Sequence, residues 1–190
     1  MSYFSDKKDA RRYFLDKRNA ISADEIKERS ATLCKHILAL DEFAAADTVL
    51  LFAPTRNEPD LSSVALTAWE LGKSVAFPIS RTSDYTLDFR KIASMDELEV
   101  GSYKILEPST NARAPIMSKK TLCIVPALAS DEQGFRLGYG KGYYDRFLRE
   151  FKGISVCALL NDFSCSSLPH DENDIPVDIT IFETGVQKAK

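Results

Sequence analysis

Three glycines alternate at Gly138, Gly140 and Gly142, with Arg136 just before them, Lys141 between them and Tyr143-Tyr144-Asp145 directly after. Glycines at this spacing let a ligand approach the main chain, and successive free N–H groups in such a loop form a concave nest for anions. Tyr144, Phe147, Leu148 and Phe151 then recur at i, i+3, i+4 and i+7, so the nest opens into a helix N-terminus, which also favours negative charge. Upstream, the apolar run Thr121–Val125 reads as a buried strand. Strand, glycine loop, two cations and helix together predict a phosphate site. It is neither of the two commonest phosphate loops, because Tyr143 stands where a dinucleotide loop needs its third glycine and the Walker spacing is absent. A glycine turn serving backbone geometry alone is the plainer alternative, and the flanking cations weigh against it.

Two other stretches could act on the same ligand. Residues 6–19 are rich in lysine and arginine, and Lys7 and Arg11 are four apart, so one face of a helix presents both cations. Ser5 is the expected N-cap of that helix; a merely solvated basic helix is the alternative. The turn-rich loop Ala53–Asp60 carries Glu58, a candidate substrate-binding acid or an ordinary surface glutamate. His36 has no partner at metal-ligand spacing and reads as structural.

Several elements must position these groups. Ser22-Ala23-Asp24-Glu25 reads as a capping box, with Ile21 and Ile26 as its hydrophobic staple, starting a helix that runs to about Leu40. Thr48–Phe52 is a doubly covered strand. Asp60 is expected to cap a helix over Leu61–Leu71 that ends at Gly72, and Ser74–Phe77 is the next strand, completing a βαβ unit with a parallel pair. Tyr85–Arg90 alternates like a half-solvated, antiparallel strand, Met95–Val100 like a helical turn, and 107–118 like a loop. Ile154–Leu160 and Val177–Phe182 are further strands, separated by the acidic loop Leu168–Asp174. The expected fold is one α/β domain over residues 1–190, with a mostly parallel central sheet flanked by helices. In such sheets ligands sit beyond the carboxyl ends of the strands, so the 53–60 loop and the glycine loop can line one crevice.

Composition narrows the classes of function. A chain of 190 residues, 44% hydrophobic and 28% charged, suits one globular domain. A net charge of −3 offers no bulk attraction to nucleic acid or anionic membrane. Met1–Lys7 has no apolar leader-like segment, and no run approaches membrane-spanning length. The four cysteines, Cys34, Cys123, Cys157 and Cys165, include no CxxC pair, so neither zinc nor a disulfide framework is expected. The expectation is a monomeric cytoplasmic protein with reduced thiols, bound to no membrane or nucleic acid.

The constellation resembles the 5-formyltetrahydrofolate cyclo-ligase family, also called methenyltetrahydrofolate synthetases. The resemblance rests on Lys7-x-x-x-Arg11, on Asn57-Glu58, on Arg136-Leu137-Gly138-x-Gly140-x-Gly142-Tyr143-Tyr144-Asp145, and on Asn173-Asp174-x-x-Val177-Asp178. It implies a fold akin to the sugar-phosphate isomerases and CoA-transferases. It also implies an ATP- and magnesium-dependent enzyme that cyclises 5-formyltetrahydrofolate to 5,10-methenyltetrahydrofolate, releasing ADP and phosphate. Carried over by residue, ATP is bound by Lys7, Arg11 and the loop Arg136, Leu137, Gly138, Tyr139, Gly140, Lys141, Gly142, Tyr143 and Tyr144. Arg136 and Lys141 are the expected catalytic cations. Ala53, Glu58, Tyr139, Gly140, Lys141, Gly142 and Tyr143 line the folate side. Asp145 and Asp174 hold magnesium, with Asp171 and Asp178 as alternatives to Asp174. Lys141, where the family varies between glycine and a basic residue, adds a phosphate contact. Ser130, where the family often has an aromatic residue, implies looser packing beneath the loop. A non-catalytic sugar-phosphate or nucleotide sensor of similar fold is the alternative from another class; an RNA-binding module is disfavoured by the acidic balance.

Overall fold

Seven strands form the central sheet of the computed structural model, which describes residues 4–188. The ends of the expected 1–190 domain, residues 1–3 and 189–190, lie outside the described residues. The strands are β1 (Thr48–Leu50), β2 (Ser74–Arg81), β3 (Thr86–Ile92), β4 (Thr121–Val125), β5 (Ile154–Ala158), β6 (Ile179–Phe182) and β7 (Gly185–Lys188). Their spatial order is β7-β6-β5-β4-β1-β2-β3. The five inner strands run parallel, and the edge strands β3 and β7 are antiparallel to their neighbours. Every residue of β1, β4 and β6 is buried, as a parallel sheet covered on both faces requires. From β1 the chain passes to β2 on one side and later to β4 on the other. A crevice for ligands therefore opens beyond the carboxyl ends of β1 and β4.

Among the described residues, five α-helices flank the sheet: α1 (Lys7–Asn19), α2 (Ala23–Leu38), α3 (Asp41–Ala45), α4 (Ser62–Glu70) and α5 (Tyr143–Leu148). Their starts refine three expectations. Asp6, not Ser5, caps α1, accepting the N–H groups of Lys8 and Asp9 at 2.8 Å each. Ser22 caps α2 through Glu25 N–H at 3.2 Å, but the Glu25 carboxylate turns to Arg29 at 2.9 Å, so only half the capping box forms. Leu61 occupies the cap position of α4, while the neighbouring Asp60 carboxylate still accepts the Ser62 N–H. Gly72, at φ +72°, ends that helix as expected.

Other departures come from short elements. A three-stranded sheet joins Ala129–Asp131 and Arg136–Leu137, which lie between β4 and the glycine loop in the chain, to Ser164–Cys165 after β5. A small hairpin pairs Leu98–Val100 with Leu106–Pro108, and α5 stops at Leu148 rather than reaching Phe151. Ser130 does not loosen the packing. It is fully buried, and its hydroxyl reaches the Phe135 carbonyl at 3.2 Å and the Thr180 hydroxyl at 3.3 Å, so a polar tie replaces an aromatic plug. His36 is structural, within 3.2 Å of the Glu183 carbonyl. No helix among the described residues is long and apolar enough to cross a membrane.

Candidate active site

The crevice is a cavity of about 700 Å³, and every site residue expected from the sequence lines it. The four segments expected from the sequence meet there, namely the start of α1, the 53–60 loop, the glycine loop with α5, and the acidic loop. The β2–β3 pair with Tyr103, Ile105 and Leu106 completes the lining. Of the alternative carboxylates, Asp171 lines the cavity and Asp178 does not. The Asp178 carboxylate accepts the N–H and hydroxyl of Ser155 at 2.8 and 2.7 Å instead.

The glycine loop is built for a close approach. Gly140 and Gly142 sit at φ +95° and +69°, backbone that L side chains rarely adopt. A Cβ on Gly140 would stand 3.1 Å from Arg11 Cζ, whereas one on Gly138 would meet nothing within 4 Å. The space over Gly138 is thus open cavity that a ligand can fill. Arg11 reaches the loop from α1, its Nε donating to the Gly138 carbonyl at 2.9 Å. The exposed Lys141 ammonium lies 5.3 Å from the Tyr85 ring centroid.

Arg136 is less free than its expected role suggests. Its side chain is 3% exposed, and its guanidinium donates to Asp145 Oδ1 at 2.9 Å and to the Ile175 carbonyl at 2.5 Å. Asp145 Oδ1 also accepts the Ile175 N–H at 3.2 Å. Arg136 therefore ties the glycine loop to the acidic loop. Lys7 makes a second tie, bridging Asp171 at 2.6 Å and Asp174 at 2.5 Å. Burial pulls the Lys7 ammonium down, but the two carboxylates outweigh it and raise its pKa. The same contact, led by the Lys7 hydrogen bond, holds the Asp171 carboxyl at about 2.

Glu58 is no surface turn residue: it is buried at the cavity floor. Its carboxylate accepts from Thr55 N–H at 3.0 Å and from the Tyr139 hydroxyl at 2.9 Å, with Arg18 Nη1 at 3.9 Å. Burial raises its pKa; the Thr55 N–H, Arg18 and Tyr139 oppose that rise. The mouth is aromatic. The Tyr103 and Tyr143 hydroxyls are 3.1 Å apart, and the Tyr85 ring stands edge-on to Tyr143 at 5.7 Å. Tyr85 and Tyr103, both in loops at positive φ, were not singled out from the sequence, and neither was Arg18.

No group of three or more His, Cys, Asp or Glu side chains among the described residues could hold an ion by itself. Asp145 and Asp174 nevertheless lie close together, since Asp145 accepts the N–H of Ile175, next to Asp174 in the chain. Two carboxylates completed by phosphate oxygens are the usual manner of binding magnesium, so the pair fits a metal that arrives with a nucleotide.

Comparisons with known proteins agree on one family. The chain matches the 5-formyltetrahydrofolate cyclo-ligase family over residues 4–183. The 5-formyltetrahydrofolate cyclo-ligase of Mus musculus is 26% identical over 176 residues, spanning 86% of this chain and 87% of the relative. That of Escherichia coli K12 is 28% identical over 175 residues, spanning 90% and 96%. The NMR structure of Aquifex aeolicus 5,10-methenyltetrahydrofolate synthetase superposes with a TM-score of 0.82 at 28% identity, over 97% of this chain and 93% of that one.

Proposed function

The chain belongs to the 5-formyltetrahydrofolate cyclo-ligase family, and from that premise we propose how its cleft divides the work. The enzyme cyclises 5-formyltetrahydrofolate to 5,10-methenyltetrahydrofolate in an ATP-dependent reaction. The observation that carries the assignment of residues is the convergence of four distant segments on one cavity at the topological switch point.

The chemistry explains the parts. An N-formyl carbon is a poor electrophile because the nitrogen lone pair is delocalised into the carbonyl. In the proposed sequence the formyl oxygen attacks the γ-phosphorus, the β–γ bridging bond breaks and ADP leaves. The N10 lone pair then closes the ring on the formyl carbon, the C–O bond breaks, and phosphate departs with the formyl oxygen as N10 loses its proton. Such a transfer asks the protein for positioning and charge neutralisation, not a covalent nucleophile.

Arg11, Lys141 and the N–H groups of the glycine loop take the phosphates. Arg136 positions the loop through Asp145 rather than reaching the reacting atoms. Ala53, Glu58 and the loop tyrosines receive the folate. Lys7 turns from Asp174 to phosphate, and Asp145 and Asp174 are the carboxylates that would hold magnesium. Magnesium, when bound, supplies neutralisation of phosphate charge. In the same proposal the working form is a cytoplasmic monomer.

The test is to mix purified protein with ATP, magnesium and 5-formyltetrahydrofolate and follow the methenyl chromophore with ADP. Both products should rise together, stop with chelator and return with added magnesium. ADP formed without folate, or methenyl product formed without ATP, would overturn the division of labour.

A further inference from the structure

We infer that Arg18 is a positioning residue of the folate side of the cleft, setting the charge and orientation of Glu58 through the Tyr139 hydroxyl. The inference rests on Glu58 facing substrate, as proposed above. Arg18 sits in the last turn of α1 with its side chain 1% exposed. One nitrogen, Nη2, donates to the Ala127 carbonyl at 2.6 Å and the Leu128 carbonyl at 3.2 Å. The other, Nη1, reaches the Tyr139 hydroxyl at 3.3 Å, and that hydroxyl donates to Glu58 Oε1 at 2.9 Å. The Phe163 ring centroid lies 4.9 Å from the guanidinium carbon.

Anchoring α1 to two carbonyls does not explain a buried full charge. An apolar side chain could pack there without desolvating a cation. The charge is explained by Glu58, whose side chain is 2% exposed and whose Oε1 is 3.9 Å from Nη1. Burial alone would drive such a carboxyl toward its neutral form. Arg18 and the Tyr139 hydroxyl oppose that shift, and this relay of cation, hydroxyl and carboxyl fixes the orientation of Glu58 in the cavity lining. The ionised form that Arg18 favours suits an N–H-bearing face of the substrate and the positive charge that the methenyl product carries. The relay also fixes Tyr139, so α1 steadies the glycine loop at two points, through Arg11 and through Arg18.

The groups facing Glu58 can be named element by element. Arg18 comes from α1, Thr55 and Arg56 from its own loop, and Tyr139 from the glycine loop. Tyr144 from α5 and Cys157 from β5 are close enough to feel its charge, and burial holds both of these neutral.

The experiment titrates the Glu58 carboxyl by ¹³C NMR in the full chain, beside the pH profile of kcat/KM for 5-formyltetrahydrofolate. Arg18→Met should raise the midpoint by about 1 pH unit or more, the scale of losing a close opposite charge. The acid limb of kcat/KM should move with it, KM for ATP should hold, and Arg18→Lys should restore part of both changes. An unmoved midpoint in folded Arg18→Met overturns the inference and leaves Arg18 a brace for the 127–128 carbonyls. Tyr139→Phe keeps the guanidinium and its carbonyl bonds while cutting the relay. It tests the same coupling if Arg18→Met does not fold: the midpoint should rise, and an unchanged one overturns the relay. A midpoint that moves while kcat/KM stays flat supports the coupling and overturns the substrate role of Glu58 instead.

Discussion

Replacing Gly138 by alanine separates what a ligand demands of the glycine loop from what the protein demands of it. A methyl group at this position meets no protein atom within 4 Å. The substitution should therefore change stability by no more than about 0.5 kcal/mol, a shift in Tm within about 2 °C for a domain of this size. If a phosphate rests against the loop, the methyl group instead occupies ligand space. Losing one backbone N–H bond to a charged phosphate costs about 1.5–3 kcal/mol, which weakens ATP binding roughly 10- to 150-fold. Gly140→Ala makes the internal control. There φ is +95° and the new Cβ stands 3.1 Å from Arg11 Cζ. Strain of about 1–3 kcal/mol should then lower Tm by roughly 2–12 °C. Thermal melts and calorimetric titration with ATP on both variants give the comparison. A folded Gly138→Ala protein with parental affinity refutes the phosphate nest, and the alternating glycines would then serve backbone geometry alone.

Arg11→Ala should raise KM for ATP about 10- to 150-fold, the scale of one charged hydrogen bond, while Lys8→Ala, at an exposed position outside the cavity lining, should leave it nearly unchanged; equal effects would mean a merely solvated helix. Asp145→Asn should fold but lose most turnover, because an amide is a poor magnesium ligand. It should also lose about 1–3 kcal/mol of stability, since Arg136, with a side chain only 3% exposed, loses its charged partner; full turnover at saturating magnesium would remove Asp145 from the metal site. The Lys7–Asp171 bridge sets a pH window. The folded-state pKa of Asp171, about 2, lies below the ordinary 3.8, so the bridge contributes fully above about pH 4 and fades as pH falls toward 2. In Lys7→Met the Asp171 carboxyl should titrate nearer its ordinary value by NMR, and an unmoved titration would deny the bridge.

Much of the sheet is legible in the sequence because its inner strands are continuous apolar runs. Thr121–Val125 and Ser74–Phe77 announce themselves through burial on both faces, and Thr121–Val125 is the observed strand residue for residue. The two- and three-residue strands of the small sheet carry no period, so nothing in Ala129–Asp131 or Arg136–Leu137 distinguishes strand from loop. The cavity lining was legible because glycines and cations at fixed spacing have few other uses. Arg18 was hidden by its company, since a charge in a basic run reads as solvated. A signal existed: Lys7, Arg11, Phe14 and Arg18 follow one another at four, three and four residues, one face of α1, and Phe14 on that face is buried. Arg136 was legible as a cation but not as a tie, because its partners Asp145 and Ile175 are brought to it only by the tertiary fold. Tyr85 and Tyr103, in separate turns, meet Tyr143 at the start of α5, a contact that spacing cannot reveal.

The measurement that bears most directly on the proposed chemistry follows the formyl oxygen itself. With ¹⁸O placed in the formyl group of 5-formyltetrahydrofolate, turnover with unlabelled ATP in ordinary water should deliver the label to inorganic phosphate, one labelled phosphate for each methenyl product and each ADP. Recovery of the label in water, with phosphate unlabelled, would contradict phosphorylation of the formyl oxygen and the role assigned here to the phosphate nest.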